Sequence, residues 1–286
     1  MTSTLTRQFT RRLALTFAFL CPLSGTMNAQ QAKPDTAAKK EPPPIADNSF
    51  LVEEAYNQEY GVVQHINTFQ RTRDGDWAYS FTQEWPAPGQ RHQLSYTIPV
   101  NHFNGAGTGI GDVALNYRLQ LIGKDEEALW FSPRLSLLLP TGDAKAGRGA
   151  GGPGVELFFP VSYAISDAIV THWNAGGSII NGENASGVKG TTRNLRGGAS
   201  AIWLVAPTFN LMFEAVAGRF ESVGPTGKRD SENSVVLSPG ARFAFNFASG
   251  LQIVPGIAFP IGVGPNSGQR DVLLYLSFEH PFRKEP

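Results

Sequence analysis

The chain has 286 residues, a formal net charge of zero, 31 glycines, 20 prolines, 19 phenylalanines and a single cysteine. Without a concentrated basic face it lacks the electrostatic footprint of a nucleic-acid-binding protein. No segment beyond the N-terminus offers 18 consecutive apolar residues, which excludes a bundle of membrane-spanning helices.

In chain order, the first 29 residues have the layout of a secretory signal. Arg7, Arg11 and Arg12 form a charged region without acids, Leu13 to Leu20 an apolar region, and Ala29 a small residue before the cleavage point. An uncleaved anchor needs roughly 20 apolar residues, and this run stops at Cys21-Pro22. Removing the signal takes three arginines, leaving 21 basic against 24 acidic residues, a net charge of −3, and no cysteine. An exported chain of this size without disulfides needs another source of stability, and a closed barrel supplies one.

Residues 30–58 are expected to form a periplasmic linker. The stretch 30–48 is polar, Pro-rich and Lys-bearing, a composition that does not bury a core. Residues 49–58 suggest a short helix, with Ser49 as cap and Phe50, Leu51 and Ala55 on one apolar side. It would lie under the following domain or enter it; the pattern leaves both open.

From residue 59 to 286 the hydrophobic period is two. Val113, Leu115, Tyr117 and Leu119 alternate with Asp112, Ala114, Asn116 and Arg118, and Trp77, Tyr79, Phe81 and Trp85 alternate with Ala78, Ser80, Thr82 and Glu84. Successive strand residues point to opposite faces, so each segment has one apolar and one polar side. Twelve such segments are expected, at about 60–71, 76–86, 90–101, 111–122, 127–140, 154–165, 168–180, 194–206, 208–222, 233–247, 250–262 and 270–282. Most run well beyond the five or six residues of an ordinary strand and match the roughly 9–11 that cross a bilayer at a tilt. After the second strand, short and long connections alternate, as periplasmic turns and external loops do. The expected fold is an all-β, antiparallel transmembrane barrel of about 12 strands in the outer membrane. Pro99, Pro133, Pro160, Pro239 and Pro255 fall within these strands and must sit at bulges or strand ends, since each removes a ladder hydrogen bond.

Twelve strands enclose too wide a space for a simple apolar core, so the apolar set is expected to face lipid and the polar set the lumen. Trp77, Trp85, Trp203, Tyr117 and Tyr163 are candidates for interfacial girdles. The lumen-lining candidates are Glu84, Asn116, Arg118, Arg134, Glu156, His172, Arg196, Glu214, Arg242 and Glu279. Buried charges must pair or meet water, so these residues either line a wet channel or lock into a structural network. Both signs are present, so no strong ion preference is expected.

Catalysis finds little support. His172 and Ser178 share a face but lie six residues apart, roughly 20 Å along a strand. There is no GxSxG elbow, no HExxH and no metal-spaced Cys/His cluster, so no catalytic group, metal or cofactor is expected. The glycine-rich run from Gly142 to Gly154 lacks the Gly-Lys-Ser/Thr of a phosphate loop and suits an external loop.

Two motifs carry a family resemblance. Gly109-Ile110-Gly111-Asp112 leads into Tyr117-Arg118, and Leu139-Pro140-Thr141-Gly142-Asp143 is followed by Gly147, Gly149 and Gly154. In order and spacing they resemble the outer-membrane family named for the meta-pathway of phenol degradation, over roughly 60–282. The resemblance implies a barrel that admits hydrophobic or aromatic compounds and carries over no catalytic residue. Folding the fourth and fifth strands together places Asp112 opposite Leu139-Pro140, so Asp112, Pro140, Thr141, Gly142 and Asp143 are expected at the external rim, with Asp112 or Asp143 accepting backbone hydrogen bonds. The expected function is passive passage of small molecules. The alternatives are a closed structural or surface-binding barrel and a lipid-modifying enzyme. Expected partners are membrane lipids and lipopolysaccharide, the barrel-assembly machinery and small solutes.

Overall fold

The computed structural model describes residues 48–124 and 127–281. The signal 1–29, the linker as far as residue 47, and Phe282 with the tail beyond it lie outside the described residues.

Sixteen strand segments follow one another: β1 Val62–Thr72, β2 Trp77–Pro86, β3 His92–Phe103, β4 Gly107–Ile110, β5 Val113–Leu119, β6 Leu129–Phe131, β7 Arg134–Leu139, β8 Gly154–Ser166, β9 Ile169–Glu183, β10 Lys189–Ala206, β11 Phe209–Val223, β12 Arg229–Phe243, β13 Phe245–Asn246, β14 Gln252–Ala258, β15 Ile261–Gly262 and β16 Asp271–Pro281. All pairings are antiparallel. β12 pairs with β14, β14 with β16 and β16 with β1, so the sheet closes on itself. β4/β5, β6/β7, β12/β13 and β14/β15 are interrupted strands. Each pair counts as one stave, and the ring has the twelve expected. Closure leaves no long open edge to pair with other chains.

The interruptions have a common cause: each faces a proline on the neighbouring strand. Residues 111–112 lie opposite Pro99, 132–133 opposite Pro160, 243–244 opposite Val254-Pro255, and 259–260 opposite Pro239. A proline has no N–H for the ladder, so the neighbour loses its partner at the same level. Placing further prolines, Pro133 and Pro260, inside two of these gaps lets two missing donors share one defect.

β10 and β12 begin four or five residues earlier than their apolar alternation does, at Lys189 and Arg229. Above the apolar band both faces are polar. The ladder continues there, but the period-two hydrophobic signal that would announce it is gone.

The outward residues are apolar and exposed, among them Leu115, Leu137, Phe159, Trp173, Phe213 and Leu274. Asn116, Arg118, Ser136, His172, Glu214 and Arg242 point inward and are buried. A soluble barrel has the reverse arrangement; this one suits a lipid surround. Trp85, Tyr117, Tyr163 and Trp203 sit at the strand ends next to the short turns. Trp77 opens β2 at the opposite rim, where it stacks on His102 at 5.5 Å.

The helix suggested over 49–58 does not form. Residues 48–58 run as bends and extended chain inside the barrel. Their backbone N–H groups are taken by barrel side chains, which removes the donors an i→i−4 ladder would need.

Candidate functional site: a plugged polar lumen

The inner segment crosses the lumen in the half nearer the short turns, and nearly every residue in it is held. Arg242 donates to the Asn48 carbonyl, and Ser49 Oγ to Ser200 Oγ at 2.7 Å. Glu214 Oε1 accepts three successive backbone N–H groups, from Phe50, Leu51 and Val52, at 3.1, 2.7 and 3.1 Å. Asn174 brackets Glu53, accepting from its N–H at 2.6 Å and donating to its carbonyl at 2.8 Å. Ser162 Oγ accepts from Ala55 N, and Ser132 Oγ donates to the Ala55 carbonyl. Arg118 reaches the Glu54 carbonyl and Asn57 Oδ1 at 3.0 and 3.1 Å, and Gln93 Oε1 accepts from Gln58 N at 2.8 Å.

Space for the segment is made by glycines. A Cβ on Gly256 would lie 2.5 Å from the Phe50 ring and one on Gly240 3.0 Å from it, while a Cβ on Gly198 would meet Val52 at 3.2 Å. Phe50 and Leu51 pack against an apolar patch of the interior formed by Ala244, Val254, Ala258, Leu273 and Tyr275. Burial of this hydrophobic side fixes the depth of the segment, and the polar contacts fix its path.

The ten inward candidates divide into groups. Arg118 lies 3.7 Å from Glu54 and 3.8 Å from Glu84, while Arg134 lies 2.8 Å from both Glu53 and Glu156. Arg134 also donates to Asn116 Oδ1 at 3.0 Å, and Gln93 donates to Glu84 at 2.7 Å. These residues form one alternating network, completed by two acids from the inner segment. For the Glu53 carboxyl, burial alone would raise the pKa, but the guanidiniums of Arg134, Arg118 and Arg196 outweigh it and hold the group below the usual carboxylate range. Arg196 stands over the Phe158 ring at 4.7 Å, and Arg242 over the Tyr275 ring at 5.3 Å. Glu279 accepts from Gln64 and Gln58 at the mouth, and Glu214 stands apart from the network as the anchor of the segment's backbone.

His172 does meet a serine, though not Ser178. Its partner is Ser162 on the adjacent strand, with Oγ to Nδ1 at 2.7 Å. Ser162 Oγ is also engaged by Ala55 N, and both side chains are almost fully buried. The pair secures the inner segment and turns no open face to a substrate. Cross-strand register, which single-strand spacing does not reveal, brings the two together.

Two cavities flank the segment. One of about 330 Å³ lies between Phe50–Glu54 and the wall of β1, β2, β3 and β5, where Thr68, Ser80, Thr82, Ser95 and Thr97 present hydroxyls. The other, about 780 Å³, opens at the short-turn end between Tyr56–Glu59 and the β2–β3 and β5–β6 connections. Asn48 and Glu54 line both.

At the opposite rim Asp112 grips the glycine-rich loop. Its Oδ1 accepts from Gly142 N at 2.9 Å and its Oδ2 from Ala150 N at 2.7 Å. Thr141 Oγ1 donates to the Gly111 carbonyl at 2.7 Å and accepts from Val113 N at 2.9 Å, which ties Pro140-Thr141 to the start of β5. Asp143 caps the short 3-10 turn Ala144–Ala146 and pairs with Arg148 at 3.2 Å. A Cβ on Gly149 would lie 2.5 Å from Asp112 Oδ1, so only glycine permits this approach. Asp112→Ala is expected to cost roughly 2 kcal/mol locally, for two charge-assisted hydrogen bonds. Protease should then cut 140–153 faster while the barrel keeps its heat-shifted band; an unchanged cleavage rate would show that the loop does not depend on Asp112.

No family model matches the chain, and no curated protein matches its sequence. Among solved structures, the COG4313 outer membrane channel from Pseudomonas putida F1 superposes with a TM-score of 0.59 at 14% identity, covering 79% of this chain and 97% of that one. The fold is that of a closed, twelve-stranded outer-membrane β-barrel. The NanC porin and the CymD monoaromatic hydrocarbon channel align more loosely, with TM-scores of 0.45 and 0.42 at 11% and 10% identity, covering 76% and 79% of this chain and 98% and 90% of theirs.

The inner segment is what sequence reasoning missed as a site. Asn48, Phe50, Glu53, Glu54 and Gln58 lie in a stretch without periodicity, next to a linker-like run. The one signal available was the surplus of inward charges, together with glycines on the inward faces of β10, β12 and β14.

Proposed function

We propose that the chain is an outer-membrane channel for the passive passage of small molecules, and that residues 48–58 are an internal plug that sets its bore. The observation that carries this reading is the pair of polar cavities on either side of the segment, meeting at Asn48 and Glu54. A barrel stabilised only by an internal network has no need of such spaces. The smaller cavity has room for about ten waters at ~30 Å³ each. It offers the hydroxyls of Thr68, Ser80, Thr82, Ser95 and Thr97 together with the apolar surfaces of Phe50, Ile66 and Tyr275. Small solutes with an apolar body and a hydrogen-bonding edge suit it. The resemblance to the phenol-degradation family points the same way, to small hydroxylated aromatics. In this reading an exported chain reaches the outer membrane through a cleaved signal and is inserted by the barrel-assembly machinery.

The test is single-channel conductance of the full chain against Glu214→Ala. The variant leaves three buried N–H groups without their acceptor, at about 1–3 kcal/mol each. It is expected to show longer and larger openings. Equal, negligible conductance in both proteins, with the folded barrel intact, would sink the channel reading. The second reading, a closed structural barrel, is favoured by the saturation of Arg118 and Arg134 with acids, and that null result would establish it.

A further inference from the structure

The outward wall of β8 to β12 carries a trough of about 790 Å³. Ala175, Gly177, Gly197 and Ala217 form its floor, since strands with side chains this small leave the surface hollow. Leu157 and Phe159 on β8 and Val235 on β12 stand at its two ends. The trough runs across the strands, and its row nearer the long-loop rim passes through Leu195 and Arg219, which are paired across β10 and β11.

At that end the outward face turns cationic. Lys189, Arg193, Arg219 and Arg229 occupy alternate, outward positions on three adjacent strands. Arg229 is taken by Glu221 at 3.6 Å, and Lys189 stands opposite Glu183 in register. The same Glu221 Oε2 also accepts the backbone N–H of Arg193 at 3.0 Å. The guanidiniums of Arg193 and Arg219 make no ion pair among the described residues; Arg219 donates to Ser231 Oγ at 3.0 Å. The two are diagonal neighbours across the β10–β11 pair, roughly 7 Å apart at Cβ, close enough to grip one phosphate together.

We propose that this face binds one phosphorylated, multiply acylated glycolipid of the outer leaflet, with a phosphate between Arg193 and Arg219 and one acyl chain in the trough. The proposal rests on the outer-membrane reading and goes beyond the channel itself. Charge complementarity and position select the occupant. Guanidiniums without acidic partners at the edge of an apolar band attract an anionic headgroup, and the hollow that Arg219 itself borders accepts a chain from the same molecule. The external leaflet, at the long-loop end, is where such glycolipids reside. A free anion would use the arginines and leave the trough empty.

The experiment uses the full chain, purified in detergent and first shown to be folded by its heat-shifted band, then titrated with lipid A and, separately, with phosphatidylglycerol. Lipid A is expected to bind more tightly and to raise the temperature at which the heat-shifted band is lost. Arg193→Gln with Arg219→Gln should weaken lipid A by about tenfold or more. Ala217→Phe, which fills the trough and leaves every charge in place, should weaken it comparably. Arg71→Gln, an outward cation on β1 away from the trough, should leave binding as it was. Equal affinity for phosphatidylglycerol, or variants that bind lipid A like the parent, would overturn the proposal. Absence of a heat-shifted barrel would instead overturn the membrane reading beneath it.

Discussion

Deleting residues 48–58 from the full chain is expected to raise single-channel conductance several-fold while the barrel remains folded. The deletion removes the only chain that crosses the lumen among the described residues and merges the two flanking cavities. A ring of twelve staves is wider than the eight-stranded barrels that side chains alone can fill, so the space vacated would be taken by water. The barrel should survive because its ladder is continuous around the ring, β16 pairing with β1 over eleven residues. The exposed inner wall would carry Arg118, Arg134, Arg196, Arg242, Glu84, Glu156, Glu214 and Glu279. With both signs present, the enlarged pore should show weak ion selectivity. Reversal potentials in a salt gradient measure that directly. A deletion that stays folded and conducts no better than the parent would mean that the bore is set elsewhere, at the rim loops.

Arg134→Ala carries the second large effect, on stability. The guanidinium lies 2.8 Å from both Glu53 and Glu156, and its side chain is 13% exposed, against 32% and 21% for the two acids. Removing the shared cation leaves two carboxylates facing each other in a partly buried space. Breaking a buried pair in this way costs about 3–5 kcal/mol, and the modest access of water to Glu53 places the expectation at the lower end. The heat-shifted band should be lost at a lower temperature, and the inner segment should become accessible to protease. Arg134→Lys retains the charge but not the fork that serves Asn116, Ser136 and Glu156 at once, so partial rescue is expected. If Arg134→Ala and Arg193→Gln behave alike, the inner network contributes nothing particular.

Asp112 shows how far one sequence could be read at the rim. Its position opposite Leu139-Pro140 follows from alternation and one turn, and the structure pairs Val113 with Leu139. That its two oxygens hold Gly142 and Ala150 depends on how the loop returns, and no spacing encodes that path. The ten inward candidates were legible in the same way, because the period of two assigns each strand residue to a face. Their partners were not. Ser162 and His172 lie ten residues apart, and a two-residue shift of β9 against β8 would give either of them a different neighbour. Arg134 and Glu53 are 81 positions apart and meet only because a chain segment enters the barrel.

The sequence by itself determined the number of staves, their order, the inversion of polar and apolar faces and the asymmetry of the connections. These are properties of single strands and single turns, set by alternation and by where glycine and proline fall. Only the tertiary structure decided that the polar lumen is occupied, by which residues, and along which path. Residues 48–58 have no periodicity of their own, and their conformation is imposed by acceptors and donors contributed from ten different staves. Glycines 198, 240 and 256 belong to the same class of fact: in the sequence they are interruptions of strands, and in the closed barrel they are the space that Phe50 and Val52 fill.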